Sequence, residues 1–133
     1  MQAKKDIENR DDIAQLIRAF YTHVMQDDLI GFYFTEVAAI NLEEHLPIMY
    51  NFWENLLFDT RNYYGGMMQK HFRLNAQVRM RKEHFERWLM LFELEVDSQF
   101  AGPKAEEAKE RARTIAPSML MKMDRTFLPM TRQ

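Results

Sequence analysis

Residues 84–102 read HFERWLMLFELEVDSQFAG, and the spacing of their apolar side chains settles the fold class. Phe85, Trp88, Leu89, Phe92 and Val96 recur at helical intervals, so they share one stripe of a helix expected over about residues 81–100. Gly102-Pro103 closes that helix, because glycine suits the position beyond a helix end and proline the first turn of the next. The same period continues outward in both directions. Ile13, Leu16, Ile17, Phe20 and Val24 form a stripe over about residues 11–26, with Asp11 or Asp12 available as a cap. Ile48, Met49, Phe52, Trp53, Leu56 and Leu57 give a wide apolar face over about residues 42–58, where Asn41 and Glu44 make a capping pair. Ala108, Ala112, Ile115, Met119 and Met123 stripe a last helix over about residues 104–123, in which Pro117 is expected to produce a kink. LIGFYFTEVAAI reads as a corner plus a short helix, and MMQKHF as a short helix after a Gly65-Gly66 turn. Strand-like alternation is absent, so the class is all-α.

Composition agrees. The chain of 133 residues suits one domain spanning 1–133, with 1–10 and 127–133 expected to fray. Gly and Pro number four each, too few for a fold of many short strands and turns. The net charge of −2 gives no general pull toward nucleic acid or anionic lipid, and Arg79, Arg81 and Lys82 form too small a basic cluster to change that. No apolar run approaches the roughly 18 residues of a membrane span, and MQAKKDIENRDD carries no signal-peptide core. Without cysteine there is no disulfide, thiolate site or thiol nucleophile, and the cytoplasm is the default compartment. The eleven methionines and ten phenylalanines suit an accommodating helical core, or the wall around a flat apolar cofactor.

The chemistry rests on histidines. His23 on a helix flank and His84 at a helix start read as structural residues. His45 precedes Ile48, Met49 and Phe52 by three, four and seven residues and so lies on the apolar stripe. An imidazole there needs a hydrogen-bond partner or a ligand, and a core histidine bonded to backbone or water is the plainer option. His71 follows the glycine turn, with Met67 and Met68 one helical turn before it, and fits a surface position equally well. Two such imidazoles could approach a flat cofactor from opposite faces, but their spacing alone does not decide this. HExxH, Walker-type and GxSxG motifs are absent, and the charged AEEAKERAR run lacks the ExxH pair of a carboxylate di-metal helix.

Taken in order, FYTHVMQDDLIGFYF, HLPIMYNFWENLLF, the tyrosine-glycine loop ending in KH, and HFERWLMLFELEVDSQFAG resemble the group III truncated haemoglobins. The resemblance runs from about residue 11 to 123 and implies a two-on-two helical sandwich around a haem b pocket. Matched residue by residue, it implies His71 as proximal iron ligand and Tyr21 as a distal hydroxyl donor. It also implies His45 at the distal position and Trp88 as a distal indole donor, with Phe20, Phe34, Met49, Phe52 and Met68 as further cofactor contacts. Trp53 is expected to pack beneath them. Met67 departs from the pattern, since many relatives carry proline there. The favoured function is reversible binding of dioxygen or another diatomic gas. Peroxide or nitric-oxide chemistry is the enzymatic rival, and a haem-less helical interaction module is the third reading. The expected partners are the gas and a reductase, without nucleic acid or membrane, for a monomer or weak dimer.

Overall fold

The computed structural model describes residues 3–63 and 65–131; the side chains of Met67, Met68 and residues 125–131 lie outside the described residues. Among the described residues the secondary structure is entirely helical: α1 (Arg10–Met25), a π-helical turn (Tyr33–Val37), α2 (Leu42–Phe58), α3 (Met67–Gln77), α4 (Lys82–Gln99) and α5 (Pro103–Thr131). α1 packs on α2 and α4 on α5, and the two pairs stack through α1 against α4 and α2 against α5. The result is a two-on-two sandwich. The shorter α3 lies against α5 and the π-helical turn.

The stripes read from the sequence are the faces that meet. Ile13, Leu16, Ile17, Phe20 and Val24 of α1, Leu46, Trp53 and Leu57 of α2, and Phe92 and Val96 of α4 are buried in one large cluster with Ala105, Ala108 and Ala112 of α5. Each large apolar side chain buried this way contributes about 1.5–3 kcal/mol. A second, smaller cluster joins Phe85 of α4 to Ala116, Met119 and Met123 of α5, with Phe72 of α3 packed on it. Trp88 and Ile115 touch both.

Several local expectations change. Asn9, not Asp11 or Asp12, caps α1, its side chain accepting the Asp12 N–H at 3.0 Å. Asp12 is instead engaged by the Lys5 ammonium at 2.6 Å and the Glu8 N–H at 2.9 Å. Residues 5–7, in the stretch expected to fray, pack against the end of α4 and the start of α5. Ile7 is 1% exposed, the Ala101 N–H donates to the Lys5 carbonyl at 2.9 Å, and the Asp6 carboxylate accepts the Lys104 and Ala105 N–H groups at the start of α5. Those bonds hold the Asp6 carboxyl below its ordinary range against the opposing effect of burial. The expectation for 127–133 falls on side chains outside the described residues, although the backbone is helical to Thr131. Ile48 is 44% exposed, so the inner face of α2 is narrower than its composition suggests. Pro47 sits within α2, which begins at Leu42 on its Asn41 cap. α3 continues past Phe72 to Gln77 and closes with the Val78 N–H on the Leu74 carbonyl at 2.9 Å.

Candidate functional site

One wall of the site is a run of aromatic rings from α1, the π-helical turn, α2 and α4, extended by Tyr63 in the loop after α2. Phe20 on α1 is fully buried, and its ring meets Tyr21 at 4.8 Å, Trp88 at 5.6 Å and Phe92 at 5.2 Å, all edge-on. Tyr21 meets Phe34 of the π-helical turn at 5.7 Å. Beneath them Phe92 is stacked between Trp88 at 5.5 Å and Trp53 at 4.7 Å. Trp53 continues edge-on to Phe52 at 5.5 Å, and Phe52 to Tyr63 at 5.2 Å. Phe20 and Phe92 are covered on all sides, whereas Tyr21, Phe34, Met49, Phe52 and Trp88 are half-buried and rest one side on the core. Aromatic residues packed on one side against a core make a rigid apolar wall.

The polar groups on this wall are few. Burial pushes the Tyr21 phenol up to about 12, with a smaller opposing effect from the Trp88 indole beside it. Tyr21 therefore keeps its proton across the physiological range. The indole N–H can only donate and is directed at the Tyr21 hydroxyl, so Trp88 and Tyr21 form a donor pair of two neutral groups. His45 stands half-buried on α2, four residues before Met49.

α3, which packs on α5 and the π-helical turn, carries His71, also half-buried. The helix starts at Gly66, where φ is 91°, directly after Gly65 at 90°. A side chain would strain both positions, which explains the glycine pair. The preceding loop is tied down on α2. Asn62 Nδ2 donates to Glu54 Oε1 at 2.9 Å, Arg10 Nη1 donates to the same oxygen at 2.8 Å, and the Arg61 N–H donates to Asn55 Oδ1 at 3.0 Å. Phe72 turns into the smaller cluster. Asn75 is 2% exposed, and its amide joins the Met80 N–H at 2.7 Å to the Met123 carbonyl at 3.2 Å. The side chain of Met68 lies outside the described residues.

The group 3 truncated hemoglobin ctb of Campylobacter jejuni is 31% identical over 111 residues, covering 81% of this chain and 85% of that protein. The chain belongs to the group III truncated haemoglobins. The crystal structure of a group III truncated hemoglobin from Campylobacter jejuni superimposes with a TM-score of 0.80 at 27% identity, covering 91% of this chain and 95% of that one. No family model matches the chain.

The remaining histidines of this truncated haemoglobin have structural partners. His23 Nδ1 lies 2.7 Å from the buried Glu95 carboxylate. His84 Nδ1 accepts the Arg81 N–H at 2.9 Å and so closes the start of α4. Sequence reasoning missed three contributors to the site: Asn75, Tyr63 and the Arg10–Glu54–Asn62 group. It also missed Tyr33, whose buried hydroxyl donates to the Arg79 carbonyl at 2.7 Å. Their signal was weak, because a polar residue at a helix end or in a loop reads as solvated until the fold brings it a partner. Among the described residues no three His, Asp or Glu side chains come together as a metal cage, and no helix is long and apolar enough to cross a membrane.

Proposed function

We propose that this truncated haemoglobin binds haem b between its two apolar clusters, with His71 as the iron ligand, and reversibly takes up dioxygen or another diatomic gas. The observation that carries the reading is the donor pair. Tyr21 and Trp88 bring protonated O–H and N–H groups together on an aromatic wall, in a chain whose α3 bears the His71 imidazole. A lone imidazole would not hold iron by itself, whereas a porphyrin would supply the remaining nitrogen donors. The chain has no cysteine for thioether attachment, so a bound haem would be held by packing and by the His71 imidazole.

When bound, haem supplies an iron centre that takes a diatomic ligand, and the chain supplies the rest. Tyr21 and Trp88 donate hydrogen bonds to partial negative charge on a gas, and a dry aromatic wall strengthens them. Phe20, Phe34, Met49 and Phe52 exclude water. His45 is the distal residue on α2. A reductase that keeps the iron ferrous is the partner this function requires.

Donors close to a bound oxygen atom also suit peroxide or nitric-oxide chemistry, which keeps an enzymatic reading in play. The deciding experiment has two stages. Titration with haem is expected to give a saturating Soret band at one equivalent, and its absence leaves only the interaction-module reading. Oxygen release is then compared with turnover of peroxide and nitric oxide in the presence of a reductase. Slow release without turnover supports gas binding, and turnover well above free haem overturns it in favour of an enzyme.

A further inference from the structure

We infer that Asn75 is the positioning residue for His71, fixing the angle and depth at which that imidazole is presented. The inference rests on the reading that His71 binds iron. Among the described residues of α3, Asn75 has the one fully buried side chain. It lies four residues after His71, one helical turn further on the same face.

Both ends of its amide are used. Oδ1 accepts the Met80 N–H at 2.7 Å, which fixes the turn leaving α3. Nδ2 donates to the Met123 carbonyl at 3.2 Å, which joins α3 to α5. That second bond spans 48 residues of chain and falls on a backbone carbonyl, so it sets a position rather than matching a particular side chain. The other inward side chain of this stretch, Phe72, makes apolar contact, which is not directional. The Asn75 amide therefore gives α3 itself a directional link to α5, while the Arg79–Asp124 ion pair at 3.1 Å holds the segment that follows. His71 sits on the same rigid helix and inherits that setting. Leucine or alanine at 75 could retain the helix yet lose the register.

Neither replacement of the amide is equivalent. Asn75→Ala removes both bonds and leaves the Met80 N–H and Met123 carbonyl without this partner. Asn75→Asp keeps an acceptor for Met80 and sets a carboxylate oxygen against the Met123 carbonyl, so it breaks the α3–α5 link selectively.

The test uses the full chain reconstituted with haem. Wild type, Asn75→Ala, Asn75→Asp and His71→Ala are compared by resonance Raman of the ferrous form and by the rate of haem loss to a scavenger. The inference predicts a shifted iron–histidine stretching band in both Asn75 variants and haem loss faster by about tenfold or more, as for other residues that orient a metal ligand. An unshifted band and unchanged loss rate in Asn75→Asp overturn it, even where Asn75→Ala is too unstable to purify. Far-UV circular dichroism of the haem-free chains checks the helix content separately. If His71→Ala retains the wild-type band, His71 is not the ligand, and the functional reading falls together with the inference. If His71→Ala loses the band but the Asn75 variants retain it unchanged, only the inference falls.

Discussion

In the larger cluster, Phe20, Phe92 and Val96 are shut off from solvent by helices on every side, and the cluster draws on α1, α2, α4 and α5 together. The smaller cluster is Phe85, Ala116, Met119 and Met123, and α3 reaches it through Phe72 and an amide link. Four long helices specify the first through their stripes, whereas a short helix leans on the second. The difference teaches where each half of the site gets its rigidity. The wall bearing Tyr21 and Trp88 is part of the structural core. The helix bearing His71 is an attachment to it, and local opening follows the density of buried contacts.

Phe92→Ala attacks the comparison hardest. It removes a ring stacked between Trp53 and Trp88, and the expected loss is about 3–5 kcal/mol, measured by urea unfolding of the haem-free chain. Met123→Ala in the smaller cluster is expected to cost about 2–3 kcal/mol. Its distinguishing mark is hydrogen exchange, with faster exchange confined to α3 and α5 and none gained in α1. Equal acceleration in α1 would mean that the two clusters open as one. Gly66→Ala sharpens the comparison further, since φ is 91° at the start of α3. About 1–2 kcal/mol of strain is expected there, seen as earlier exchange of the α3 amides than of α2.

The smallest effect comes from His84. Burial holds its imidazole below the ordinary value of 6.5. The folded state therefore favours the neutral ring, whose Nδ1 accepts the Arg81 N–H. The stabilisation is fully present above about pH 6.5 and is lost as pH falls through the lowered folded value. His84→Gln should flatten the pH dependence of the melting temperature in that window, and an unchanged slope would remove His84 from the account.

The same contrast marks what the sequence could tell. Stripes such as Ile13-Leu16-Ile17-Phe20-Val24 locate the larger cluster because burying them requires helical spacing. The α2 cap at Asn41 and the Gly65-Gly66 turn were legible for equally local reasons. The start of α1 was not, because Asn9, Asp11 and Asp12 all compete for the cap and bonds to Lys5 and Glu8 in the preceding segment reserve Asp12 for another role. Ile7 shows no periodicity of its own, and its burial depends on α5 arriving at Asp6. For the site, the whole pattern of blocks pointed to Tyr21, Trp88 and His71, whereas Asn75 and Tyr63 acquire meaning only from contacts distant in sequence.

The central claim is that an imidazole on the attached helix, at His71, faces the core-built wall across a haem. Its most direct test is the ferrous spectrum of His71→Gly reconstituted with haem, recorded with and without added imidazole. The account predicts that the proximal-histidine signature disappears in the variant and returns when free imidazole occupies the space left by the side chain. A His71→Gly spectrum identical to wild type, before any imidazole is added, would contradict it.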